Sequence, residues 1–106
     1  MNIRICGTGS ALPERKITND DLSQIMDTSD EWISSRTGIK TRHLATEETT
    51  TSLATEAAKK ALADADMKPE EVELIIAATV TPDHLVPTLS CEVQREIGAV
   101  NAVAFD

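Results

Sequence analysis

The chain has 106 residues, enough for one small domain with a modest hydrophobic core. Its formal charge of −8 at pH 7 argues against a nucleic-acid-binding protein, because such proteins carry a basic surface. No stretch approaches the roughly 18 consecutive apolar residues of a membrane-spanning helix. The first residues lack the basic and then apolar segments of a secretory signal. We therefore expect a cytoplasmic protein that binds neither nucleic acid nor membrane.

The first predicted element is a strand. Apolar residues and glycines alternate along residues 2–12, and a turn is expected before Pro13. Gly7 and Gly9 resemble part of a dinucleotide-binding loop, but Leu12 stands where that loop needs its third glycine. We interpret the two glycines as points where another backbone comes close to the strand.

Two short helices are predicted next. Thr18 begins the first helix, which is expected to end near Asp27. Thr28 and Glu31 form a capping box, which predicts a second helix with Thr28 as its N-cap. Gly38 suits the left-handed position that ends such a helix.

The second helix carries three candidate binding residues. Trp32 is the only tryptophan, Arg36 follows four residues later on the same face, and Thr28 lies one turn earlier. An indole can stack on a nucleotide base, a guanidinium can bind phosphate, and a hydroxyl can hydrogen-bond a base edge. The alternative is a buried structural tryptophan beside a solvated arginine. The residue types alone favour that alternative, because most lone tryptophans pack inside proteins.

The rest of the chain predicts alternating helices and strands. A polar loop at 47–51 precedes these elements: a long alanine-rich helix at 52–65, a helical turn beginning at Pro69, a strand at 74–80, a loop at 81–87, a helix at 89–97 ending before Gly98, and a strand at 101–106. The strand at 74–80 has no polar alternation, so both of its faces are expected to be covered. Strands and helices in this order predict an α/β fold with parallel strands.

The cysteines and histidines do not predict a catalytic or metal site. Cys6 and Cys91 lie in apolar stretches and are expected to be buried free thiols. His43 and His84 match no zinc-ligand spacing, and His43 is expected at the surface.

Four long motifs, in the right order, resemble the β-ketoacyl-acyl-carrier-protein synthase III family. They are I-x-G-T-G-S-A-L-P at 5–13, S-D-E-W-I-x-x-R-T-G-I-x-x-R-H at 29–43, S-L-A-T-E-A-A-K-K-A-L-A-D-A at 52–65, and L-I-I-A-A-T-V-T-P-D at 74–83. The resemblance implies a thiolase-like fold. Residues 1–106 would be an N-terminal segment of its first α-β-α-β-α half, a layered and mostly parallel sheet.

The resemblance also implies an activity. Family members condense an acyl-CoA starter, typically acetyl-CoA, with malonyl-acyl carrier protein, and this decarboxylative step initiates type II fatty acid synthesis. They are homodimeric transferases without a cofactor, since acyl-CoA is a substrate. The family's tryptophan stacks on the CoA adenine, and its threonine and arginine contact the CoA nucleotide. These roles fall on Thr28, Trp32 and Arg36.

Two further assignments follow from the same resemblance. Val86 falls where the family limits acyl-chain length, through a side chain that reaches into the partner subunit's pocket; an ordinary loop residue is the alternative. Lys40 and Arg42 are candidates to share in docking the acidic carrier protein.

The family's catalytic cysteine, histidine and asparagine are not expected in this chain. The strand at 101–106 would lead to the nucleophile, and neither Cys6 nor Cys91 matches its motif. We therefore expect an N-terminal segment of a longer synthase that is inactive alone, with the remainder in the intact protein or in a second chain. The alternatives are another thiolase-fold acyltransferase, of secondary metabolism or a hydroxymethylglutaryl-CoA synthase, or a non-catalytic CoA- or nucleotide-binding module.

Overall fold

The computed structural model describes every residue from Met1 to Asp106. The chain divides into a smaller unit, Leu12–Glu47, and a larger unit made of Met1–Ala11 and Glu48–Asp106. No helix is both long enough and apolar enough to cross a bilayer.

The smaller unit is a two-stranded sheet with two helices inserted between its strands. Its elements are β1 (Arg15–Thr18), α1 (Asn19–Ser23), α2 (Asp30–Thr37) and β2 (Thr41–Leu44). The strands pair in antiparallel fashion. The predicted start of α1 is confirmed: the Thr18 hydroxyl accepts a hydrogen bond from the Asp21 amide, and the Asp21 carboxylate accepts one from the Thr18 amide. The helix ends at Ser23, before the predicted Asp27.

The larger unit is a small α/β arrangement. Its elements are α3 (Thr50–Asp64), a 3₁₀ turn (Pro69–Glu71), β3 (Leu74–Ile76), α4 (Leu89–Ile97) and β4 (Val103–Phe105). Strands β3 and β4 pair in parallel, as predicted, and α4 connects them. Helix α3 begins two residues before the predicted 52, within the stretch predicted to be loop, because Thr49 caps it through the Ser52 amide.

Helix α4 supplies most of the small core. Leu89 and Val93 are buried, and Ile97 is half-buried on the same predicted stripe. The helix packs against α3 and both parallel strands. It ends at Gly98, whose φ of +78° confirms the predicted left-handed position.

The first predicted strand is wrong. Residues 1–13 form no strand, and Ile3 and Ile5 are exposed. A strand needs a neighbouring backbone for its hydrogen bonds, and the only pairing partners of β3 and β4 are each other. The expected cover on both faces of β3 is also wrong within this chain: Leu74 and Ile76, which share one face of the strand, are exposed.

The close backbone approach expected at the two early glycines is confirmed, although the segment that carries them is not a strand. A Cβ atom on Gly7 would lie 2.6 Å from the Ala61 carbonyl oxygen. One on Gly9 would overlap the Ala57 carbonyl oxygen. The backbone of the first residues therefore lies directly against α3, and only glycine leaves room for this contact.

We expect Gly9→Ala to lower the free energy of unfolding by at least about 1 kcal/mol, because the added methyl group must displace helix backbone. Urea denaturation of the intact protein measures the change. Thr8→Ala is the matched control, since Thr8 is exposed and its backbone amide, which donates to Asp64, is retained. Equal stability of the two variants would mean that the contact is not tight.

The predicted burial of the cysteines is also wrong. Cys6 and Cys91 are unpaired, as expected, but both are exposed. Cys6 belongs to the segment without strand partners. Cys91 lies two residues from Leu89 and from Val93, which places it on the opposite side of α4 from their buried stripe.

Candidate functional site

The N-terminus of α2 is capped one residue later than predicted. The Ser29 hydroxyl accepts a hydrogen bond from the Trp32 amide at 3.1 Å, and Ser29 has the extended backbone of an N-cap. Thr28 is therefore not the N-cap, and it forms no capping box with Glu31. Both residues have side chains suited to the position, so the sequence could not distinguish them. Gly38, with φ of +71°, ends the helix as predicted.

Trp32 and Arg36 are in direct contact. The Arg36 Cζ atom lies 4.5 Å from the centroid of the Trp32 ring, within the range of a cation–π interaction. Trp32 is 53% exposed, so the alternative of a buried structural tryptophan is wrong in this chain. Arg36 is exposed and forms no ion pair. Thr28 is half-buried at the helix entrance, one residue before the cap.

A buried asparagine that the sequence did not reveal holds α2 in place. Asn19 is 2% exposed, and its side-chain amide donates to Asp30 Oδ1 and to the Ile39 carbonyl, both at 2.8 Å. Its side-chain oxygen accepts a hydrogen bond from Arg42 Nη2 at 2.6 Å. One side chain therefore joins the start of α2, the segment that follows it, and β2. The partners lie 11 to 23 residues away, beyond any local pattern.

Three charged groups near α2, unlike Arg36, have polar partners within the smaller unit: Asp30, Lys40 and Arg42. Hydrogen bonds from Asn19 and Ser34, with the nearby Lys40 ammonium, hold the pKa of Asp30 below its ordinary value. Asp30 is thus ionised at neutral pH in the first turn of α2, where a negative charge is favourable. The Lys40 ammonium donates to Ser34 Oγ at 2.9 Å. Arg42 is half-buried, and its guanidinium donates to the Asn19 side chain; its share in docking the carrier protein stays a prediction.

The other candidate residues lie outside α2. Val86 is 86% exposed in the loop between β3 and α4. His43 is exposed, as predicted, and its Nδ1 lies 2.7 Å from the Pro13 carbonyl oxygen. No three histidine, cysteine or carboxylate side chains converge as a metal site would require.

Comparisons with known proteins point to one family, although no family model matches the chain. It is 53% identical over 105 residues to β-ketoacyl-[acyl-carrier-protein] synthase III of Clostridium acetobutylicum, an alignment that covers 99% of this chain and 32% of that protein. The same enzyme of Caldanaerobacter subterraneus is 57% identical over 103 residues, covering 96% of this chain and 31% of the relative.

Solved structures agree in fold. The crystal structure of 3-oxoacyl-[acyl-carrier-protein] synthase III from Aquifex aeolicus matches with a TM-score of 0.96 and 52% identity, over 99% of this chain and 34% of that one. The priming β-ketosynthase of the R1128 polyketide pathway matches with a TM-score of 0.93 and 36% identity, over 97% and 31%. The chain spans about a third of the length of these relatives. Along its whole length it is homologous to the N-terminal third of β-ketoacyl-[acyl-carrier-protein] synthase III, and it shares the thiolase-like fold of that family.

Proposed function

We propose that the intact protein condenses an acyl-CoA starter, acetyl-CoA in the simplest case, with malonyl-acyl carrier protein. Residues 1–106 would be the N-terminal segment of its first half and would bind the nucleotide end of the starter. The observation that carries the proposal is the exposed Trp32 with Arg36 stacked on it, within a chain more than half identical to synthases of this class.

The chemistry of α2 suits a nucleotide. The exposed indole offers a stacking surface for adenine, and Arg36 has no carboxylate partner that would compete with a phosphate. The Thr28 hydroxyl would complete the site as a hydrogen-bonding group. Binding energy collected at this distant end would position the thioester for reaction without taking part in it.

The reacting groups would come from the remainder of the enzyme. A thiolate at a helix N-terminus would take the acyl group, and histidine and asparagine donors would stabilise the enolate that forms as malonyl loses CO₂. This chain would contribute no catalytic residue and need no cofactor, since acyl-CoA is consumed as substrate. A cytoplasmic homodimer is the proposed form of the enzyme.

Turnover by the intact protein tests the proposal. We expect acetyl-CoA and malonyl-acyl carrier protein to yield acetoacetyl-acyl carrier protein, CoA and CO₂, and CoA to quench Trp32 fluorescence. Use of free CoA thioesters in place of the carrier protein would favour another thiolase-fold acyltransferase. Saturable CoA binding by residues 1–106 alone, with no turnover by the intact protein, would favour a non-catalytic binding module.

We also propose that Val86 borders the starter pocket of a homodimer. Its exposed, small apolar side chain would leave room for branched starters, so Val86→Phe is expected to lower the ratio of kcat/KM for isobutyryl-CoA to that for acetyl-CoA by about tenfold. Leu85→Phe is the matched control, because Leu85 is equally exposed in the same loop. An unchanged ratio in Val86→Phe would remove Val86 from the pocket.

A further inference from the structure

In the loop between β3 and α4, residues 77–88, the apolar side chains at the tip are exposed to solvent. The charged side chains beside them are hydrogen-bonded to neighbouring helices. Leu85 and Val86 are each 86% exposed at its tip. Asp83 and His84, immediately before them, are both hydrogen-bonded to helices of the larger unit. An exposed apolar tip on an anchored polar base differs from an ordinary surface loop, whose apolar side chains are free to fold inward.

Asp83 fastens the loop to the start of α3. Its Oδ1 accepts a hydrogen bond from the Thr50 amide at 3.1 Å, and its Oδ2 accepts one from the Thr51 amide at 2.7 Å. These amides belong to the first turn of α3, where backbone N–H groups have no partner within the helix. The same hydrogen bonds, that of Thr51 first, hold the pKa of Asp83 below its ordinary value. The Thr50 hydroxyl adds a bond to the Thr81 carbonyl at 2.9 Å.

Glu92 fastens the loop to α4. It is only 8% exposed, and a buried carboxylate is costly unless its oxygens are hydrogen-bonded. Its Oε2 accepts from the Thr51 hydroxyl at 2.9 Å, and its Oε1 lies 3.0 Å from His84 Nδ1. Thr51 thus bonds both carboxylates, so that α3, α4 and the loop share one connected network.

We propose that Asp83, His84 and Glu92 are positioning residues: they hold the loop tip in one projecting conformation, and the fixed position of Val86 then sets which starter acyl groups the enzyme accepts. This inference rests on the function proposed above, in which Val86 borders the acyl pocket. When the loop is anchored, Val86 stays in place and excludes a bulky starter. When the anchoring hydrogen bonds are lost, Val86 can move aside and admit it. Loss of the anchors therefore relaxes selectivity, although none of the three residues touches substrate.

The test compares His84→Ala, Asp83→Ala and Glu92→Ala in the intact enzyme. Each is expected to raise the kcat/KM ratio of isobutyryl-CoA to acetyl-CoA by about five- to tenfold, while CoA affinity at Trp32 stays unchanged. Glu96→Ala is the matched control, because Glu96 lies on α4 and pairs only with Arg95.

Three further measurements separate positioning from a general loss of stability. The His84 side chain is largely exposed, so its alanine variant is expected to fold normally. His84→Asn retains a hydrogen-bond donor near the position of Nδ1 and is expected to restore most of the selectivity. His84→Ala combined with Glu92→Ala is expected to have no more effect than Glu92→Ala alone, because both remove the same link.

The outcomes are distinguishable. Wild-type turnover with an unchanged starter ratio in His84→Ala and Asp83→Ala overturns the positioning role and leaves the proposed function intact. Fully additive effects of His84→Ala and Glu92→Ala on the kcat/KM ratio would mean that the two residues do not act through their mutual hydrogen bond. Absence of wild-type turnover with any acyl-CoA overturns the proposed function, and the positioning role with it.

Discussion

Trp32→Ala is expected to weaken CoA binding by about 5- to 150-fold, since stacking of a base on an aromatic ring contributes about 1–3 kcal/mol. The substitution removes both the proposed adenine platform and the surface on which Arg36 is held, 4.5 Å from the ring centroid. Because half of Trp32 is already exposed, the fold should lose little stability. Calorimetric titration of the intact protein with CoA measures the change.

Two control variants test whether the loss of CoA affinity is due to the aromatic ring of Trp32. Trp32→Phe keeps a ring and is expected to retain most of the affinity. Ser35→Ala changes the same helix but removes only a hydroxyl that donates to the Trp32 carbonyl, so CoA affinity should stay within about twofold. A Trp32→Ala protein that binds CoA as the wild type does would mean that the ring does not carry the nucleotide.

Asn19→Ala is expected to lower the free energy of unfolding by about 3 kcal/mol. The truncation leaves the Arg42 guanidinium, the Asp30 carboxylate and the Ile39 carbonyl short of a partner inside the smaller unit, and unsatisfied groups there cost more than an ordinary hydrogen bond contributes. Urea denaturation measures the loss. Hydrogen exchange of the α2 amides should accelerate, since Asn19 joins that helix to β2.

Asn101→Ala is the matched control. Asn101 is exposed, and its amide makes a single hydrogen bond, to the Glu70 carbonyl at 2.8 Å. Its loss should cost about 1 kcal/mol or less and leave exchange in α2 unchanged. Similar costs for the two substitutions would show that the buried asparagine has no special role in holding α2.

Much of the local structure could be predicted, because neighbouring residues determine it. Gly38 and Gly98 end their helices where the patterns of the preceding residues stop, and the stripe of Leu89 and Val93 is buried as its spacing requires. The contact of Trp32 with Arg36 follows from helix geometry at i and i+4. Four ordered motifs were enough to indicate the family to which the comparisons also point.

The errors concern interactions that the pattern of one segment does not contain. Residues 2–12 alternate like a strand, but a strand exists only where a second backbone accepts its hydrogen bonds. Cys6 has apolar neighbours in sequence and is nevertheless exposed, since burial depends on what packs above it. The N-cap shifted from Thr28 to Ser29 because either residue satisfies the local rule.

The sequence by itself determined the helix periods, the glycine-terminated helix ends, and the face of α2 that carries Trp32 and Arg36. Only the tertiary structure revealed the buried Asn19 that holds this helix, and the aspartates that cap α3 and α4 from afar: Asp83 reaches the amides of Thr50 and Thr51, and Asp106 those of Leu89 and Ser90. The physical reason is range. Helix propensity and side-chain period act within a turn or two, whereas a hydrogen bond between residues 11 to 41 positions apart exists only after the chain has folded.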